Sequence, residues 1–128
     1  VQPKECFITY FGNGAWKPID GTGCAHWVAH QKNIQSGSAM DKCLNGFTVR
    51  VKALIIGRTQ VTDLKKVQVN DIWVNDTSDH TGMVLTIKLG AKPTDKPQIT
   101  IRHDSSGQGR VADNDWGVFF HGKGKFYR

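Results

Sequence analysis

Long apolar runs are missing from this 128-residue sequence. Its longest strictly aliphatic stretch is Ala53-Leu-Ile-Ile56, far below the ~20 residues that a membrane-spanning helix requires, so a transmembrane role is excluded. Proline is sparse, with 4 residues against 14 glycines. That balance describes a turn-rich globular chain, neither disordered nor collagenous. No internal repeat, low-complexity tract or linker interrupts residues 1–128, and domains usually run ~100–200 residues, so a single domain is expected. Acidic side chains are also few. Eleven Asp and Glu against 17 Lys and Arg leave a formal charge of +6, which favours anionic partners such as nucleic acid, phospholipid head groups or acidic cell-wall polymers. The basic residues are scattered with no run of five, so the surplus constrains partners without naming one.

Cysteine is limited to Cys6, Cys24 and Cys43. An odd number suggests one bridge plus a free thiol in a secreted chain, or three reduced thiols in the cytosol. The chain begins at Val1 rather than Met, an opening that fits removal of an upstream signal segment.

Residues 1–23 hold the turn-forming clusters Tyr10-Phe-Gly-Asn-Gly14 and Asp20-Gly-Thr-Gly23. From Cys24 to about Lys32 there is neither Gly nor Pro, and Ala25, Val28 and Ala29 recur at helical spacing, which predicts a short helix. A second short helix is expected over 38–45, ending at Gly46. After Gly46 the period changes to two. Phe47, Val49 and Val51 alternate with polar residues, Ala53–Ile56 continues the strand, and further strands are expected over 69–74, 81–89, 98–103, 117–121 and 125–128. Helices followed by antiparallel strands predict an α+β domain.

Cys24 is the most suggestive residue for chemistry. It stands where the Gly-rich loop Gly21-Thr-Gly23 enters the helix, near unpaired backbone N–H groups and the positive end of the helix dipole. Such a site is expected to lower a thiol pKa and to supply donors for an oxyanion. A thiol nucleophile needs an imidazole for its proton and a third group to orient that imidazole. His80 follows the polar loop Asn75–Asp79 and His103 ends the strand Ile99-Thr-Ile-Arg, so two adjacent strands would carry these two side by side. His26 and His30 have the i,i+4 spacing of a helical zinc pair, but Trp27 stands where a zincin carries Glu. No metal and no cofactor are therefore assigned.

The order of these motifs resembles the NlpC/P60 and CHAP cell-wall hydrolases of the papain-like superfamily. Gly21-Thr-Gly-Cys24-Ala-His-Trp-Val28 looks like their nucleophile motif. Leu64–Val74 is similar to the segment leading into a hydrophobic strand, with Asn70 in place of the usual Gly. Asp79-His80-Thr-Gly82-Met-Val84 resembles the strand opened by the base. Ile99-Thr-Ile-Arg-His103 resembles the strand with the third polar member, and Gly109-Arg-Val111 the turn after it. Gly23 replaces the family's Asp before the nucleophile, and Ala25-His26 its Ser-Gly.

The resemblance implies a papain-like α+β fold with N-terminal helices packed on an antiparallel sheet. It implies a cysteine peptidase or amidase cutting peptidoglycan peptides through a thioester, secreted or at the periplasm or cell wall, with an immunity or inhibitor protein as a further partner. Cys24 would be nucleophile, His80 base and His103 orienter; Tyr10 and the Cys24 N–H would line the oxyanion site. Cys6 and Cys43 would be left to pair. Trp27, Trp73 and Trp116 would be packing residues rather than substrate platforms, with Trp116 kept open because Asp113-Asn-Asp-Trp116 reads as an exposed loop. Two other classes compete: a small basic nucleic-acid-binding or nuclease domain using His80 and His103, and a non-catalytic wall-binding or toxin-like module.

Overall fold

The computed structural model describes residues 7–10, 16–18, 23–32, 51–105, 108 and 110–128. Strands β1 (Phe7–Tyr10) and β2 (Trp16–Pro18) form a two-stranded antiparallel ribbon. Helix α1 spans Gly23–Gln31. A 3₁₀ helix over Val51–Ile55 follows, then β3 (Gln60–Val61), a 3₁₀ turn over Leu64–Lys66, β4 (Ile72–Val74), β5 (Thr81–Lys88), β6 (Gln98–Ser105), β7 (Arg110–Asp115) and β8 (Lys125–Tyr127). Strands β3 to β8 make one six-stranded sheet in the order β3-β8-β4-β5-β6-β7, with every pairing antiparallel.

The papain-like α+β architecture with N-terminal helices is therefore corrected. A six-stranded all-antiparallel sheet dominates, and the nine-residue α1 is the one α-helix among the described residues. The expected helix over 38–45, the strand positions Phe47 and Val49, and both Cys6 and Cys43 lie outside the described residues. Among the described residues no helix is long and apolar enough to cross a membrane.

Two expected strands are not strands. At Val51–Ile55 the buried side chains are Val51 and Leu54, three apart, while Ile56 is 80% exposed. A three-residue repeat suits a 3₁₀ helix, which sets i and i+3 on one side, and both side chains pack with α1, Ile72 and Met83. At 117–121 the chain turns instead. Asp115 Oδ1 accepts the Val118 N–H (2.8 Å), the Phe119 N–H reaches Asp115 O (2.8 Å) and the Gly122 N–H reaches Trp116 O (2.9 Å). Conversely, Arg110–Asp115, expected as a turn and a loop, is a strand. Its register is pinned where Arg102 grips Asp113 with two bonds (2.7 and 2.9 Å) directly across β6–β7.

The sheet has apolar cores on both faces. Ile72, Val74 and Met83 join Ala25, Trp27 and Val28 of α1 on one side. Trp73, Val84, Ile99, Ile101, Trp116 and Phe126 gather on the other. Side chains alternate along a strand, and a register shift between Val84 and Thr86 interrupts that alternation in β5. Met83 therefore faces α1, whereas Ile87, four residues further along the same strand, packs with the second core. Trp116 is 6% exposed and its indole N–H donates to Lys123 O (2.8 Å), so it packs in the core, as Trp27 and Trp73 do.

Candidate active site

His80 is delivered by a cross-braced loop. Asn75 Oδ1 accepts the backbone N–H groups of Asp79 (2.9 Å) and His80 (3.0 Å), and the Asn75 N–H donates to His80 O (3.1 Å). Thr77 Oγ1 and Asn75 Nδ2 both donate to Asp79 Oδ1, and these bonds hold the Asp79 carboxyl below the usual carboxylate range. The backbone immediately before β5 is thus fixed by side-chain amide and hydroxyl groups, as Asx-type turns commonly are.

His103 sits near the end of β6 and is 1% exposed. His80 Nε2 and His103 Nδ1 are 2.8 Å apart, and His103 Nε2 lies 2.7 Å from Asn114 Oδ1 on β7. Gly82 permits this approach. A Cβ there would stand 2.7 Å from Ile101 Cγ2, 2.8 Å from Arg102 O and 2.9 Å from His103 Cβ, so any side chain would push β6 and His103 away from β5.

The file of three side chains has a direction, set by the amide orientation of Asn114. An amide oxygen only accepts, so His103 Nε2 carries the proton and donates to it. Neutral His103 then has a bare Nδ1, which accepts from His80 Nε2–H. That leaves Nδ1 as the unprotonated nitrogen of His80, the state a general base needs.

Burial pushes His80 down to about 4, with the neighbouring His103 adding to the effect and Asp79 opposing it. Burial also lowers His103, against opposing contributions from Asn114 and Asp113. Aromatic rings line the pair. Trp73 stands edge-on to His80 at 6.0 Å, Phe120 lies 5.0 Å from His103, and Phe119 lies 5.8 Å from it. The indole N–H groups of Trp73 and Trp116 both donate to Lys123 O, which ties the turn bearing Phe119 and Phe120 to the sheet.

Cys24 opens α1 and is not disulfide-bonded. Its Sγ makes a long contact to Asp79 O (4.0 Å) and receives the Thr81 N–H, so the thiol rests on the peptide groups flanking His80. The two side chains are not hydrogen-bonded to each other. The expected depression of the thiol pKa is reversed: burial pushes it up to about 11, outweighing the N–H groups of Thr81 and Ala25, and Asp104 acts with burial. Alkylation of Cys24 by iodoacetamide should therefore be slow at neutral pH and accelerate steadily as pH rises toward the thiol pKa. A mass-spectrometric rate series checks this, and fast labelling below neutrality would contradict it.

Tyr10 ends β1, paired with Trp16; its side chain, like those of His26 and His30, lies outside the described residues. Sequence reasoning did not find Asn75, Gly82, Asn114 or the Phe119–Phe120 wall. Asn75 carried a signal, an Asn opening a polar turn before a strand. Asn114 carried little, because Asp-Asn-Asp reads as loop. Comparisons with protein-family models, curated proteins and solved structures return no match for this chain.

Proposed function

We propose that this chain is a thiol hydrolase that cleaves amide bonds in peptidoglycan peptides. The observation that carries this reading is the file Asn114–His103–His80, directed so that a bare imidazole nitrogen remains on His80, whose flanking peptide groups hold the thiol of the helix-opening Cys24. Cys24 Sγ attacks the amide carbonyl carbon while its proton passes to His80 Nδ1. The oxyanion is held by the backbone N–H of Cys24 at the start of α1, with Tyr10 as a second contributor. The C–N bond breaks as His80 returns the proton to the departing amine. Water then attacks the thioester, His80 takes its proton, and the carboxylic product leaves as the thiol is restored.

With His80 near 4 and Cys24 near 11, both groups are neutral in the resting site. A preformed thiolate–imidazolium pair is disfavoured, so proton transfer accompanies attack, and the thiol must turn toward the imidazole when substrate binds. Catalytic hydrogen bonds commonly tighten at that stage.

The substrate class is supported by the motif resemblance around Cys24, His80 and His103. The +6 charge suits an acidic wall matrix. The same reading has the protein act at the cell wall, outside the cytosol, where an inhibitor or immunity protein would be a fitting partner. The test is digestion of purified peptidoglycan, with released amine ends identified by mass spectrometry and an acid-quenched acyl adduct sought on Cys24. New amine ends that disappear after complete alkylation of Cys24 are expected. No amine release, or release that survives alkylation, would sink the proposal.

A further inference from the structure

The opposite end of the two strands that carry His80 and His103 has its own character. Strand β5 runs eight residues from Thr81 to Lys88, and at about 3.3 Å per residue its far end lies roughly 25 Å from His80. There the β5–β6 connection forms two adjoining hollows that share Leu89, Gly90, Ala91 and Asp95. One, of about 530 Å³, is flanked by Lys88 and Lys96. The other, of about 240 Å³, is flanked by Lys65 and Lys92.

The connection is built, not loose. Asp95 Oδ2 accepts the Lys92 N–H (3.1 Å) and the Asp95 N–H returns to Lys92 O (3.0 Å). Lys65 Nζ donates to Pro93 O, joining the 3₁₀ turn to the tip. A Cβ at Gly90 would collide with Asp95 Cβ, so the closed turn needs glycine there. The one carboxylate among these lining residues, Asp95, is committed to the turn, whereas Lys88, Lys92 and Lys96 are exposed and accept no such role.

We infer that this lysine-rimmed tip is a docking site for a linear polyol-phosphate chain of the cell-wall type, separate from the hydrolytic site. Ammonium groups spaced along a shallow double hollow match repeated phosphodiesters as point charges. Leu89, 61% exposed between them, offers apolar contact for the carbon skeleton linking successive phosphates. A nucleic acid is the weaker occupant. Single strands are gripped by aromatic rings on which bases stack, beside a basic groove that tracks the backbone. The lining residues of the two hollows include no aromatic ring. The inference does not depend on hydrolysis.

The test measures binding of soluble poly(glycerol phosphate) to the full chain carrying Cys24→Ala, across a salt series. Lys88→Gln/Lys92→Gln/Lys96→Gln should weaken binding roughly tenfold or more and flatten the log–log salt slope by about 2. Circular dichroism should show the fold retained, since all three side chains are exposed. A matched variant, Lys52→Gln/Lys123→Gln/Lys125→Gln, removes the same charge elsewhere and should bind nearly as wild type. Equal binding by the tip variant and wild type overturns the site, as does equal weakening by the matched variant. Tighter binding of a single-stranded oligonucleotide, lost in the tip variant, overturns the choice of polymer.

Discussion

Replacing His80 by alanine is expected to lower kcat/KM for amide hydrolysis by roughly 10³-fold or more, the scale of losing a positioned general base. Cys24→Ala should leave no thioester and no turnover above that of other surfaces of the protein. His103→Ala should cost less, because in the proposed mechanism His103 touches the base and not the reacting atoms, and so acts as a positioning residue. Its distinguishing signature is the pH profile. The charge of His103 is one of the causes that depress His80, second to burial. Removing it should move the acid limb of activity upward from its wild-type place near pH 4. Turnover of the wild type should otherwise vary little between that limb and neutrality, since no other group of the file has to change protonation. Release of amines from peptidoglycan, followed from acid to neutral pH in wild type and all three variants, checks this. Unimpaired His80→Ala would remove His80 from the mechanism, and a His103→Ala limb unmoved from the wild type would contradict the coupling.

Acid should weaken the fold well before it denatures ordinary carboxylate pairs. The unfolded imidazole titrates near the 6.5 reference value, whereas His80 in the fold titrates near 4. Between those values the unfolded chain binds the extra proton and the folded chain does not. Stability is therefore complete above the unfolded pKa and is lost progressively as pH falls toward the folded one. Each unit of pKa difference is worth about 1.4 kcal/mol, so His80 alone removes about 3 kcal/mol over this window. His103 is lowered in the same direction by burial and adds to the loss. Urea unfolding at about pH 7.5 and about pH 4.5 should display the difference, and His80→Gln should abolish most of it. A wild-type midpoint that ignores pH across this window would mean that the imidazole is not buried.

The adjacency of His80 and His103 and the start of α1 were more legible in the sequence than the architecture around them. Gly-Thr-Gly before Cys24 and the absence of breakers through Gln31 announce α1, since the rule involved is local. The adjacency of His80 and His103 follows from two alternating segments joined by a hairpin, so a histidine at the start of one strand and near the end of the next come together. The rest depends on tertiary effects. Val51–Ile55 has the apolar content of a strand, but the need to cover α1 and β4 with two residues three apart chose a 3₁₀ turn. Val118-Phe-Phe120 has strong β propensity, yet Asp115 and the two indole donors draw the chain into a turn. Residues 110–115 are polar enough to read as loop, and only the Arg102–Asp113 pairing and the ladder with β6 make them a strand. That strand carries Asn114, so missing it also hid the end of the histidine file. The thiol pKa misled for a similar reason: the helix dipole is visible in sequence, whereas burial under β5 is not.

Asn114 terminates that file in a group that can neither gain nor surrender a proton near neutral pH. A carboxylate in the same place could drain charge from the imidazoles; a carboxamide cannot. The two histidines and the amide are consequently no conduit toward solvent behind the site. In the proposed mechanism, a proton captured at His80 Nδ1 therefore has no exit along the file, and the departing amine is left as its recipient.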